Sequence, residues 1–157
     1  MAAPRNSETL GPFMGSDLRL DYRLSGGFFE DADLATRRNG REHDLELARG
    51  LDNLTQAIAN RLKTRKGELA PLGHPNYGSR HHELIGEPNV DRTRNLIKLY
   101  VLQALAQEPR VEKVLRASVR AEHAPPRDTV RIELELRVQG RATPLLLVVP
   151  FMLEPTP

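Results

Sequence analysis

The chain has 157 residues, with 23 basic and 21 acidic side chains, four phenylalanines, three tyrosines, and no cysteine or tryptophan. That length suggests one domain, able to bury about 70% of the surface its unfolded chain exposes. The lack of cysteine excludes disulfides and thiolate metal sites and fits a cytosolic origin. A net charge of +2 offers no basic excess for nucleic acid, and no apolar run approaches the ~20 residues of a membrane span.

Residues 1–14 read as a flexible tail, with Pro4, Gly11 and Pro12 and no apolar core of a secretory signal. The chain therefore reads as soluble and made in the cytoplasm. Residues 13–45 look irregular. A brief alternation at Leu18, Leu20 and Tyr22 suggests a short strand, and the glycines and charges beyond it suggest a long surface connection. No internal repeat stands out.

Regular order begins at Leu51. Leu51, Leu54, Ile58 and Leu62 fall three or four residues apart, one helical stripe. Arg61, Lys63, Arg65 and Lys66 crowd its last turns, where cations suit the helix dipole, and Gly67 suits its end. A Pro/Gly-rich loop follows. Ser79 is placed to cap a short turn over Arg80–Ile85, stopped by Gly86 and Pro88. Asp91 is placed to cap a second helix whose apolar face holds Ile97, Tyr100, Val101, Ala104 and Leu105. Pro109 forbids its continuation.

Beyond Pro109 the period becomes two. Leu115, Ala117, Val119 and Ala121 form one apolar row, and Val130, Ile132, Leu134, Leu136 and Val138 a second. With a turn at Gln139-Gly140, a three-strand antiparallel meander is expected. The class is α+β: two main helices packed on a small antiparallel C-terminal sheet, with an extended N-terminal segment. The third strand, Pro144–Phe151, does not alternate and lies at an edge. A bare apolar edge invites aggregation, so something must cover it. Either the protein's own N-terminal segment and helices do so, or a partner adds strands there.

Candidate chemistry is thin. His81 and His82 are adjacent, and His74 stands apart. Neighbours on a helix point about 100° apart, so they do not share a metal ion; surface or capping roles suit them better. Glu68, Glu83, Glu87 and Glu108 are carboxylates that an acid–base glycosidase pair would need, but nothing nearby raises a pKa. The Arg61–Lys66 cluster needs no phosphate to explain it. Catalytic, cofactor-binding and metal residues are all assigned as none. Glu108-Pro109-Arg110 reads either as a rigid corner whose charges pair, or as a recognition corner offering a guanidinium to a partner.

In order, "NLTQAIANRLKTRKGEL", "HPNYGSRHHELIGEP", "YVLQALAQEPRVEKV" and the closing "LVVPF" resemble one family. It is the gene-25-like (GPW-type) baseplate wedge proteins of contractile phages, type VI secretion machines and extracellular contractile injection systems. The resemblance spans residues 15–153 as one baseplate domain, with 154–157 a tail. It implies a wedge component at the inner baseplate, in six copies, acting as sheath initiator that templates the first sheath ring by strand addition. Implied partners are other wedge subunits, the sheath protein and inner tube or hub proteins, with no small-molecule substrate, nucleic acid or membrane. The implied partner interface is Glu108, Pro109, Arg110, Leu146, Val148 and Val149. Residues 24–45 exceed a minimal family member and read as an insertion. With the Gly-Ser-Arg-His-His run, they lean toward an extracellular or phage-tail-like particle. The alternatives are a peptidoglycan-cleaving, lysozyme-like enzyme and a nucleic-acid-binding module.

Overall fold

The computed structural model describes residues 14–25, 28–122 and 129–153. Of the expected tails, 1–13 and 154–157 lie outside these residues, while Met14 is buried. The chain divides into two compact units, one ending at Ala57 and one beginning at Ile58.

The first unit departs from the expected irregular connection. Six short strands pair antiparallel in three arms. β1 (Ser16–Leu18) pairs with β6 (Leu47–Arg49), β2 (Leu20–Ser25) with β3 (Phe28–Leu34), and β4 (Thr36–Asn39) with β5 (Glu42–Leu45). The arms meet at three residues whose backbones close a ring. Arg19 N–H donates to Glu46 C=O (2.8 Å), Glu46 N–H to Ala35 C=O (2.9 Å), and Ala35 N–H to Arg19 C=O (2.9 Å). Each junction residue thus continues two ladders at once.

A repeated pattern builds this junction: Asp17-Leu18-Arg19-Leu20, Asp33-Leu34-Ala35-Thr36 and Asp44-Leu45-Glu46-Leu47. In each copy the Asp Oδ1 accepts the N–H of the following leucine, at 2.7, 2.8 and 2.8 Å. The carboxylate satisfies a donor that would otherwise stand bare at a strand edge. The chain does contain an internal repeat, but one too short and too unevenly spaced to register as periodicity.

Helix α1 (Leu51–Lys63) starts in this unit. Leu54 is buried, as the stripe predicts, and so are two polar neighbours, Asn53 and Gln56. Gln56 Nε2 donates to Leu18 C=O (2.8 Å) and Gln56 Oε1 accepts Leu20 N–H (2.8 Å). One side-chain amide thus stands in for a strand beside Arg19. Asn53 Nδ2 donates to Met14 C=O (2.9 Å), and Arg19 Nη2 reaches Asp52 Oδ2 (2.8 Å).

In the second unit, Ile58 and Leu62 of α1 are buried. The helix stops at Lys63, earlier than Gly67, and Thr64 N–H and Oγ1 both bond Asn60 C=O (3.0 and 2.8 Å). Helix α2 (Asp91–Leu105) buries Thr93, Ile97, Val101, Ala104 and Leu105 and lies against β7 (Val111–Ala121). Tyr100 is only half-buried, under the Arg80 guanidinium at 4.7 Å. Asp91 does not cap α2; it is its first residue and pairs with Arg94.

β7 joins β8 (Thr129–Val138) and β9 (Leu145–Met152) in the order β7-β8-β9, all antiparallel, the expected meander. β8 alternates as predicted, with Val130, Ile132, Leu134, Leu136 and Val138 buried. β7 differs. Its register shifts between Val114 and Arg116, so Leu115 has no partner of its own in β8 and is exposed. The bulge throws Leu115 alone out of its row: Val114 stands across from buried Leu136 in its stead, while Ala117, Val119 and Ala121 keep the expected side, across from Leu134, Ile132 and Val130.

Candidate functional site

The loop after α1 and the loop before α2 come together through a glycine. Ser79 N–H donates to Thr64 C=O (2.9 Å) and Lys66 N–H to Ser79 C=O (3.1 Å). Between them, Gly78 has φ 95°, and a Cβ there would stand 2.6 Å from Thr64 O and 2.7 Å from Arg65 O. Only glycine lets the chain pass so closely. The Pro75-x-Tyr77-Gly78 loop and the Gly67-Glu68 exit of α1 are thus two halves of one crossing.

Tyr77 carries that crossing to the Glu-Pro-Arg corner. Arg61 Cζ lies 4.5 Å above the Tyr77 ring. Its Nη2 is 3.9 Å from Glu108 Oε2. Glu108 is 4% exposed. Its Oε1 accepts Arg110 Nε (2.6 Å) and Arg110 N–H (3.3 Å), and its Oε2 accepts Nη2 (3.1 Å). Burial pushes this carboxyl up, but the Arg110 hydrogen bonds and charge, with Arg61 behind them, outweigh it and hold it below the ordinary range. Burial also pushes the Tyr77 hydroxyl upward, and there it prevails over the nearby guanidiniums. Gln139 closes the corner: its N–H donates to Arg110 C=O (3.0 Å) and its Nε2 to Pro109 C=O (2.8 Å). The charges of the tripeptide therefore pair with each other, and Pro109 is exposed at its apex.

A carboxylate held low by two guanidiniums is an anion at neutral pH. It is poorly suited to donate a proton, as a glycosidase acid must. Glu83 is likewise held low, first by its hydrogen bond from Arg80. Glu68 Oε2 accepts Arg65 N–H (3.0 Å).

The histidines do not all lie on the surface. His81 is 2% exposed, its Nδ1 2.8 Å from Ser79 Oγ, with Phe151 edge-on at 4.5 Å. Ser79 Oγ–H donates to Tyr100 C=O (3.4 Å), so His81 donates from Nδ1 to the hydroxyl. Ser79 makes no side-chain cap to the turn it precedes. Burial, then the neighbouring His82, pulls the His81 pKa down to about 3. His82 Nε2 donates to Leu62 C=O (2.8 Å) at the end of α1, and burial lowers its pKa too. His74 is exposed. These are packing groups. Among the described residues no three His, Asp or Glu side chains gather around a metal-sized space.

β9 is an edge strand: among the described residues, only β8 pairs with it. Leu146 and Val148 are 73% and 52% exposed, while Val149 and Phe151 point inward. Val149 thus serves the core, and Leu146 and Val148 face out. Pro150 fixes the phase of the edge. It has no N–H, so its pair with Arg131 is a non-hydrogen-bonded one. Period two then turns the N–H and C=O of Leu146, Val148 and Met152 away from β8. Just beyond, Leu153 C=O accepts Gly86 N–H (2.6 Å), which ties the Leu-Ile-Gly-Glu-Pro turn to the end of β9. On the outward face, Glu133 lies across from Val148 and Glu135 across from Leu146.

The family model for baseplate wedge protein gp25 matches residues 48–144. The chain belongs to the baseplate wedge protein gp25 family. The match begins in β6 and ends just before β9, so it is narrower than the 15–153 resemblance read from the motifs. It takes in the Gly78 crossing and the Glu108 corner. The arms of the junction before β6 lie outside it. Among solved structures, this gp25-family chain is similar to a candidate tail lysozyme from Geobacter sulfurreducens. Identity is 26% over 68% of this chain and 94% of that one, with a TM-score of 0.59. It also shares its fold with a chain of the baseplate complex from the type VI secretion system, at 20% identity, 65% and 92% coverage and a TM-score of 0.51. No curated protein matches it.

Sequence reasoning missed the junction residues Arg19, Ala35 and Glu46 and the role of Gln56. The available signal was the threefold Asp-Leu-x-Leu/Thr pattern.

Proposed function

We propose that this gp25-family protein is a structural wedge component of a contractile baseplate whose β9 edge receives a strand from a sheath subunit. The carrying observation is the phase set by Pro150. It leaves outward-facing backbone groups at Leu146 and Val148, beside two exposed apolar side chains. A strand added there meets donors and acceptors already in register, which gives sheath subunits a template. Repetition around a six-fold baseplate raises the avidity of each weak docking step.

In this reading the Glu-Pro-Arg corner seats the protein against other wedge subunits. Buried Glu108 fixes the Arg110 fork, and Pro109 presents the apex. The protein acts without catalysis; the depressed carboxyls of Glu108 and Glu83 support that part. The likeness to a candidate tail lysozyme gives the enzyme reading its own test. Purified protein on peptidoglycan is expected to release nothing, and turnover lost in a single glutamate variant would instead establish a muramidase.

The docking reading is tested by Val148→Pro. Val148 N–H faces away from β8, so proline there removes a donor from the margin and none from the sheet. Baseplates and tubes are expected to persist while sheaths fail to grow. Sheaths of normal length on particles carrying that variant would overturn the proposal.

A further inference from the structure

We infer that one face of the three-armed junction is a platform for an acidic amphipathic helix of another protein. This surface is separate from the β9 margin and does not depend on it.

Six residues flank the three at the centre: Leu18 and Leu20, Leu34 and Thr36, Leu45 and Leu47. Strand alternation sets all six on the side opposite Arg19, Ala35 and Glu46. The register pairs them across each arm, Leu18 with Leu47, Leu20 with Leu34, and Thr36 with Leu45. Five of the six are leucine. Leu18, Leu34, Leu45 and Leu47 are 37%, 43%, 45% and 40% exposed. Single exposed leucines are ordinary; four around one centre, with half-buried Leu20 beside them, mark a contact surface.

Charge is sorted between the two sides. One step further out on the leucine side stand the pairs Ser16–Arg49, Tyr22–Ala32 and Arg38–His43. Among the described residues that rim carries two arginines, a histidine and no carboxylate. Asp17, Asp21, Asp33, Glu42, Asp44 and Glu46 all fall on the alternate phase. An apolar centre with a cationic rim fits an apolar stripe with acidic flanks.

The partner's backbone is also constrained. The N–H groups of Leu18, Leu34 and Leu45 are taken by Asp17, Asp33 and Asp44, and that of Leu20 by Gln56. Strand addition finds these donors already occupied. The partner must bring a backbone satisfied on its own, and a helix does. Its apolar stripe, about 100° wide, suits a flat cluster of leucines.

The probes are two synthetic helices with the same leucine stripe, one flanked by glutamates and one by lysines. Each is titrated against the full chain by fluorescence anisotropy. The glutamate helix is expected to bind at least about ten-fold tighter, a margin that shrinks with salt. Leu34→Ser/Leu45→Ser is expected to abolish that binding with its melting temperature unchanged. Arg38→Glu/Arg49→Glu is expected to reverse the preference. The arginine pair decides the question alone if the leucine variant melts early. Equal binding of both helices, binding of neither, or binding that survives the leucine variant in its folded state would overturn the proposal. So would light scattering that shows the leucine face consumed by a second copy of the chain.

Discussion

Glu108 holds the guanidinium of Arg110, two residues further on, at 2.6 Å through Nε and 3.1 Å through Nη2, while its own side chain is 4% exposed. Proline between the two makes the loop tight enough for this short reach. Removing either partner strands a charge. Arg110→Ala is therefore expected to lower stability by about 3 kcal/mol, the usual cost of breaking a buried pair, as read from thermal or urea unfolding. Arg110→Lys keeps the charge but loses the fork, and is expected to fall between. A block in baseplate assembly speaks for a contact role of Arg110 only in a variant that still melts like the parent. Pro109→Ala, at the exposed apex, is the cleaner probe of that role.

Gly78→Ala tests the crossing of the two loops. The new methyl would meet backbone oxygens at 2.6 and 2.7 Å, at φ 95°. The left-handed backbone alone costs an alanine about 1–2 kcal/mol, and the clash adds to it. A fall in melting temperature of more than about 4 °C is expected. Gly40→Ala is a useful contrast. It shares a positive φ of 64° but meets nothing within 4 Å, so only the backbone cost applies.

Proline scanning of β9 checks the phase assigned to its edge. Val148→Pro is expected to fold. Leu147→Pro and Val149→Pro each remove a bond to β8 and are expected to cost about 3 kcal/mol or more. A scan in which all three destabilise equally, by circular dichroism melts, would contradict the phase.

His81 predicts a pH dependence. Its folded pKa is about 3, below the unfolded value near 6.5. The unfolded chain therefore takes up a proton that the folded chain refuses as pH falls below about 6.5. Stability is fully present above that pH and is lost on acidification, on the order of 1 kcal/mol per pH unit, until pH approaches 3. His82 moves in the same direction. Above pH 5, where carboxylates contribute little, His81→Gln is expected to flatten the slope in urea titrations.

The junction has its own probe in Gln56. Gln56→Ala leaves Leu18 C=O and Leu20 N–H without their partner, at a cost of about 1–3 kcal/mol. Gln56→Glu restores the acceptor for Leu20 but sets a carboxylate against the Leu18 carbonyl, and is expected to rescue little. Hydrogen exchange at Leu20 reports the change directly.

The sequence made the helices and β8 legible because their periods run unbroken, and Leu54, Ile58, Ile97 and Ile132 all lie where the pattern sets them. Leu115 misled because one bulge drops it from a row that the letters still show as regular, while Ala117, Val119 and Ala121 stay in it. His81 misled because its only cue is Ser79, whose hydroxyl reads as a helix cap. Residues 13–45 misled most. Each arm switches partner after three to seven residues, so no window is long enough to show alternation. The Glu108–Arg110 pair was one of two open readings, and only burial separates a closed corner from an offered guanidinium.

The ring of Arg19, Ala35 and Glu46 has a consequence for how such a chain can vary. Because its bonds run only among those three, they do not depend on how far the β4–β5 hairpin extends beyond them. Residues added in pairs at that hairpin's tip leave every central bond and every inward phase unchanged. A lineage can therefore lengthen one spoke, or swap its ornament, while the hub keeps its geometry.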